Sequence, residues 1–226
     1  MARVSFFDDF FGKGSTANAN LFDAKICPSG SSGKVEVLNS DTADLNGAGF
    51  LQILPYGQSG SLAECGNGPA YCAAILTSPE IKAKRLPIVG GRVLFRDPSM
   101  DKMQVIVGFI TAGQNGPVAS DMVGFRLTNN TNESNAFKAL FKKDGQVKVE
   151  ADTGVKPKEF QPITLEVELT PDMAVYRIDG EVVYVWQEAA PTSALNFGVI
   201  VAINHETSVD RFREMLVDYA YGSLER

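Results

Sequence analysis

Residues 162–186 read PITLEVELTPDMAVYRIDGEVVYVW, and this stretch decides the fold. Ile163, Leu165, Val167 and Leu169 alternate with Thr164, Glu166, Glu168 and Thr170. That period of two puts one face of a strand in a core and the other in water. Pro171 and Asp172 then turn the chain. Two β-prone runs, 174–178 and 182–186, flank Asp179-Gly180, a pair that accepts positive φ at both central positions of a two-residue hairpin. The stretch therefore specifies three consecutive antiparallel strands, a meander.

The same pattern extends outward in both directions. Residues 136–143 (AFKALFKK) put Phe137, Ala139 and Phe141 on one face, and 146–152 (QVKVEAD) put Val147, Val149 and Ala151 on one face, with Asp144-Gly145 as a second hairpin turn. Residues 103–110, 122–128 and 196–203 are more uniformly apolar, as central strands covered on both faces must be. Downstream, Met215, Val217, Tyr219 and Tyr221 alternate with Leu216, Asp218, Ala220 and Gly222 in a closing strand. No segment of helical length sustains an i, i+3, i+4 apolar pattern; 78–84 and 209–215 allow a turn or two. The class is all-β, a two-sheet antiparallel β-sandwich or jelly roll of roughly ten to fourteen strands, and no internal repeat points to a propeller.

The chain has 226 residues, 44% hydrophobic and 21% charged, enough for one sandwich with a sizeable core. The expected organisation is a single domain over 1–226, with an N-terminal arm at about 1–25 and a loop-rich, irregular segment at about 26–90 where Gly, Ser, Asn and Pro concentrate. A formal net charge of -6 and scattered Lys and Arg speak against nucleic acid and anionic membranes as partners. No apolar stretch is long enough to cross a bilayer, and Asp8 and Asp9 interrupt the N-terminal segment where a signal peptide would be apolar, so a soluble location is expected. Cys27, Cys65 and Cys72 are too few for a disulfide framework; Cys65 and Cys72 could close a loop, with free thiols the expected state in a cytoplasm.

Candidate chemistry is sparse. His205 is the single histidine, with no nucleophile elbow to accompany it, and reads as a loop residue. Gly30-Ser31-Ser32-Gly33-Lys34 has too short a spacing for a phosphate loop. Glu166 and Glu168 share a strand face but read as its solvated side. Glu150-Ala151-Asp152 resembles the opening of the laminarinase-type glucanase motif, yet Gly154, Val155 and Lys156 follow and the downstream Glu is missing. No catalytic residue, cofactor or metal ligand is assigned, and the chain reads as a non-enzyme. Asn129 and Asn132 open formal glycosylation sequons in a turn-forming stretch. Trp186, Tyr184, Tyr219 and Tyr221 could stack on sugar rings, with Tyr184 and Trp186 the named glycan candidates, while the position of Trp186 in the meander also suits a core or interface role. Phe6, Phe7, Phe10 and Phe11 crowd around Asp8-Asp9 in a segment too short to bury four rings by itself. They are candidates either for partner binding as an arm or for an edge strand completing the chain's own core.

Val107-Gly108-Phe109-Ile110-Thr111, Val123-Gly124-Phe125, Ile178-Asp179-Gly180-Glu181-Val182-Val183, Asn196-Phe197-Gly198-Val199 and Val217-Asp218-Tyr219, with Phe7-Asp8-Asp9-Phe10 near the start, together resemble the concanavalin A-like (laminin-G-like) jelly roll of tailed-bacteriophage virion structural proteins. The likeness covers about the last three fifths of the chain plus its N-terminus. It implies a virion surface component assembled in the host cytoplasm, most simply a head decoration or cement protein. Such a protein would bind the major capsid protein or other virion proteins as a homo-oligomer. The alternative is a carbohydrate-binding tail or receptor-binding component.

Overall fold

The computed structural model describes residues 3–8, 23–26, 34–38, 50–54, 70–95, 103–112, 114, 119–128, 135–203 and 215–225. Within them run β1 (Arg3–Asp8), β2 (Asp23–Ile26), β3 (Lys34–Leu38), β4 (Phe50–Leu54), β5 (Ala70–Ile81), β6 (Ile88–Phe95), β7 (Met103–Thr111) and β8 (Met122–Thr128). They continue with β9 (Lys138–Lys143), β10 (Gln146–Asp152), β11 (Ile163–Leu169), β12 (Met173–Ile178), β13 (Glu181–Gln187), β14 (Leu195–Ile203) and β15 (Met215–Glu225). One 3-10 turn, Ala83–Arg85, joins β5 to β6.

The strands form two antiparallel sheets. An eight-stranded sheet runs β13-β12-β11-β6-β15-β4-β3, with β1 also on β15; a seven-stranded sheet runs β10-β9-β8-β7-β14-β5-β2. β15 is long enough to serve two neighbours on one edge: Met215 to Val217 pair with β4, and Ala220 to Glu225 with β1. The inner faces share one core, to which Ile53, Val93, Phe95, Leu165 and Tyr176 contribute from one sheet and Val107, Phe109, Phe125, Phe141 and Phe197 from the other. Each such side chain withdrawn from water is worth about 1.5–3 kcal/mol before chain entropy is counted. Tyr176 also ties the sheets together, its hydroxyl donating to the Leu140 carbonyl oxygen at 2.9 Å. Burial raises the Tyr176 pKa well above its ordinary value, with neighbouring Tyr184 adding to the effect.

Much of the sequence reading holds. Both Asp-Gly pairs form hairpin turns, with φ of 53° and 77° at Asp144 and Gly145 and 50° and 86° at Asp179 and Gly180. The meander β11-β12-β13 forms as expected. The apolar strands of the seven-stranded sheet are covered on both faces: opposite the main core, Ile106, Ile110, Ala119, Met122, Leu140 and Ile200 make a second buried cluster. Between those side chains, Gly108 faces Gly124 across the β7–β8 pair. A Cβ on Gly124 would stand 2.3 Å from the Val107 oxygen, so these two strands approach too closely for any other residue.

Three expectations can be set beside the described strands. The segment read as irregular, 26–90, contains β3, β4, the long β5 and the start of β6; β3 and β4 are only five residues each, and Ala-rich β5 lacks the clean alternation that marks a half-wet sheet. The N-terminal stretch, read over 1–25 either as an arm or as an edge strand, holds β1, paired along its length to β15, and most of β2. Val147 leaves the face it was expected to share with Val149, because a register shift between them turns it out to solvent at 53% exposure.

Candidate functional site

A second bulge builds the most distinctive surface of the molecule. Along β15, Met215 and Val217 face the core, but the register shifts between Val217 and Tyr219. One extra residue at Asp218 reverses the alternation, so Ala220 and Leu224 turn inward and are buried while Tyr219 and Tyr221 emerge on the outer face of the eight-stranded sheet. The simple alternation read from the sequence placed the two tyrosines with Met215 and Val217; the bulge separates them.

On that outer face the rings meet Phe7 of β1, which is 60% exposed. The Phe7 and Tyr219 centroids lie 5.6 Å apart at 31°, and those of Tyr219 and Tyr221 lie 6.1 Å apart at 43°, giving a continuous three-ring surface. The Tyr221 phenol crosses the neighbouring strand β6 directly above Gly90, where a Cβ would meet its Cζ and hydroxyl oxygen at 2.7 Å. Having crossed, its hydroxyl donates to Glu166 Oε2 at 2.6 Å. Arg177 on β12 then holds both acids of β11, donating from Nη1 to Glu166 at 3.1 Å and from Nη2 to Glu168 at 2.7 Å. The hydrogen bond to Glu168 leads the effects that raise the Arg177 pKa, and the Tyr221 pKa is raised by burial first and by Glu166 second. Arg92 and Asp218 form a further ion pair at 3.2 Å near the rings. The result is an aromatic platform whose Tyr221 ring is fixed from beneath by a glycine and at its tip by a carboxylate.

The other named residues lie elsewhere. Tyr184 and Trp186 pack on the margin of the core, against Tyr176 at 6.0 Å and Phe141 at 6.4 Å, so their rings are not on an open platform. The sequence pattern could not decide this, because a bulge opposite Tyr176 and Arg177 sets the phase of β13. Glu150 sits on the outer side of the seven-stranded sheet, its two oxygens 2.9 and 2.8 Å from Arg126 Nη1 and one of them 3.7 Å from Lys138. Asp121, buried, accepts from the Asp144 amide at 2.8 Å and from the Ser193 hydroxyl, fixing the β9–β10 turn. Phe6 lies in β1, while Phe10, Phe11, His205, Cys27 and Cys65 fall outside the described residues. Among the described residues no group of three or more His, Cys, Asp or Glu side chains could hold a metal ion, and no helix is long and apolar enough to cross a membrane.

Neither a family model nor a curated protein sequence matches the chain. Solved structures do. The carbohydrate recognition domain of Emp47p superposes with a TM-score of 0.66 at 11% identity, over 98% of this chain and 95% of that one. A Bacillus licheniformis β-glucanase gives 0.59 at 10% identity over 98% of each chain. Peanut lectin gives 0.57 at 10% identity over the full length of both. None of these neighbours is specific to phage virions. At such identities the likeness establishes architecture alone, and it establishes it firmly: the chain is a concanavalin A-like jelly-roll β-sandwich.

Proposed function

We propose that this chain is a non-catalytic carbohydrate-binding domain whose ligand stacks on Phe7, Tyr219 and Tyr221. The observation that carries the reading is the Tyr221 ring, laid over Gly90 and pinned through its hydroxyl to Glu166. Pyranose rings present an apolar C–H face, which stacks on an aromatic face, and a hydroxyl rim, which needs polar neighbours. Both lie side by side here, with Glu166 at the tip of Tyr221 and Arg177 bonded to it, and a ring already immobilised loses little entropy on binding. Lectin-like neighbours are consistent with the reading. A non-catalytic role is supported by the pairing of Glu150 with Arg126 and of Glu166 and Glu168 with Arg177, which leaves these acids serving structure. A glycan array, run with and without calcium, tests the reading. Binding that is lost in the Phe7→Ala/Tyr219→Ala double variant supports it, and an array without a single hit for the native chain refutes it.

A virion surface component is the second reading, favoured by the exposed Phe7 on strand β1 and by the resemblance of the sequence. It calls for stoichiometric co-sedimentation with capsids. Recovery from the soluble lysate alone, never from particles, would rule it out.

A further inference from the structure

The charges around the platform select among glycans, and we infer that it prefers amino-bearing pyranoses, of the glucosamine type, over neutral ones and rejects uronic, sialylated and sulfated ones. This rests on the carbohydrate-binding reading above and gives that site its substrate class. Among the described residues, Glu166 stands at the Tyr221 hydroxyl, Arg177 is bonded to Glu166, and Glu168 lies beyond it on the same guanidinium. Arg177 donates to both Glu166 and Glu168, and the Glu166 oxygen that Arg177 leaves is taken by Tyr221. Of the four carboxylate oxygens, Glu168 Oε1 is the one with no donor in these contacts, and it sits on a strand face where the charge sums to one negative unit. Arg92, a further cation of this face among the described residues, is matched by Asp218. An ammonium group on a stacked sugar would find an acceptor with excess negative charge. A carboxylate or sulfate would find two acids and cations already engaged. Since the groups are partly exposed, the selectivity is expected to be modest, about two- to fivefold, and to fade as salt rises.

The test is calorimetric titration of the full chain with three oligosaccharides of equal length: glucosamine oligomers, N-acetylglucosamine oligomers, and an alginate or other uronate oligomer. The expected order is amino above neutral above uronate. Glu168→Gln should bring the amino and neutral sugars level, and a thermal melt of the variant separates that loss of preference from any cost of weakening the ion pair with Arg177. Asp172→Asn, which removes an exposed carboxylate in the β11–β12 turn, should leave the preference intact. Uronate binding as tight as neutral binding overturns the inference while sparing the carbohydrate reading. Equal loss of preference in Glu168→Gln and Asp172→Asn also overturns it, because overall net charge would then account for the order. Failure of all three sugars, with no other glycan bound on an array, removes the carbohydrate reading itself.

Discussion

A methyl group added at position 90 would stand 2.7 Å from Cζ and from the hydroxyl oxygen of Tyr221, and 2.9 Å from the Leu165 carbonyl oxygen. Gly90→Ala must therefore push the phenol off the strand and break its bond to Glu166, with an expected loss of about 1–3 kcal/mol in denaturant unfolding and weakened glycan binding. Gly124→Ala collides with the backbone of β7, at 2.3 Å from the Val107 oxygen and 2.9 Å from the Gly108 Cα. It should cost more than Gly90→Ala, because a phenol can swing away and two paired strands cannot. If Gly90→Ala proves as stable as the native chain, the ring is not held where the geometry puts it. The same hydrogen bond has a signature in alkaline solution. Tyr221 and Tyr176 hold their protons above the ordinary value of 10.0, both chiefly through burial. The unfolded chain releases those protons first, so their contribution to stability is complete below about pH 10 and declines as pH rises beyond it. Denaturation midpoints should fall between about pH 9 and about pH 11, and the fall should shrink in Tyr221→Phe. An unchanged slope in that variant would mean Tyr221 titrates freely.

At the scale of elements, what the sequence disclosed was local. Asp144-Gly145 and Asp179-Gly180 announce their hairpins because turn chemistry depends on two adjacent residues, and β11 announces its faces because nothing interrupts its alternation. At Gly145 and Gly180 an added Cβ would meet nothing within 4 Å, yet φ is 77° and 86°. Alanine at either should cost about 1 kcal/mol through backbone strain alone, read from equilibrium unfolding. A cost near zero would place those turns in another conformation. Bulges were the opposite case. One extra residue at Asp218 leaves no mark in the composition of β15, because Leu216, Ala220 and Leu224 offer apolar groups in either phase. The site was therefore legible only as ingredients: Tyr219 and Tyr221 among four aromatic candidates, Phe7 among four N-terminal phenylalanines, and Glu166 and Glu168 as a wet strand face. Their meeting depends on β1 lying against β15, which joins the two ends of the chain, and no local pattern encodes that contact.

For the whole molecule, the jelly roll divides its labour between two sheets. The central strands of the seven-stranded sheet are buried on both faces and supply rigidity; the eight-stranded sheet turns one face to the core and carries on the other a strip that passes from apolar Val182 and Val185 through Glu168, Arg177 and Glu166 to Tyr221, Tyr219 and Phe7. Exposed apolar surface of this kind, fixed by polar anchors, is what the proposed carbohydrate-binding reading rests on. Because the platform draws on β1, β6, β11, β12 and β15, which are all parts of one paired sheet, truncating two of its rings should leave the fold intact while abolishing recognition. The most direct measurement is a paired titration of the tightest-binding array glycan into the native chain and into Phe7→Ala/Tyr219→Ala, with thermal melts of both. The expected result is a melting temperature within a few degrees of native and an affinity lost by tenfold or more, about 1.4 kcal/mol or above, since each stacked ring contributes about 0.5–1.5 kcal/mol beyond its area. Unchanged affinity in the double variant, with the fold preserved, would place the sugar site elsewhere and contradict the assignment of the platform.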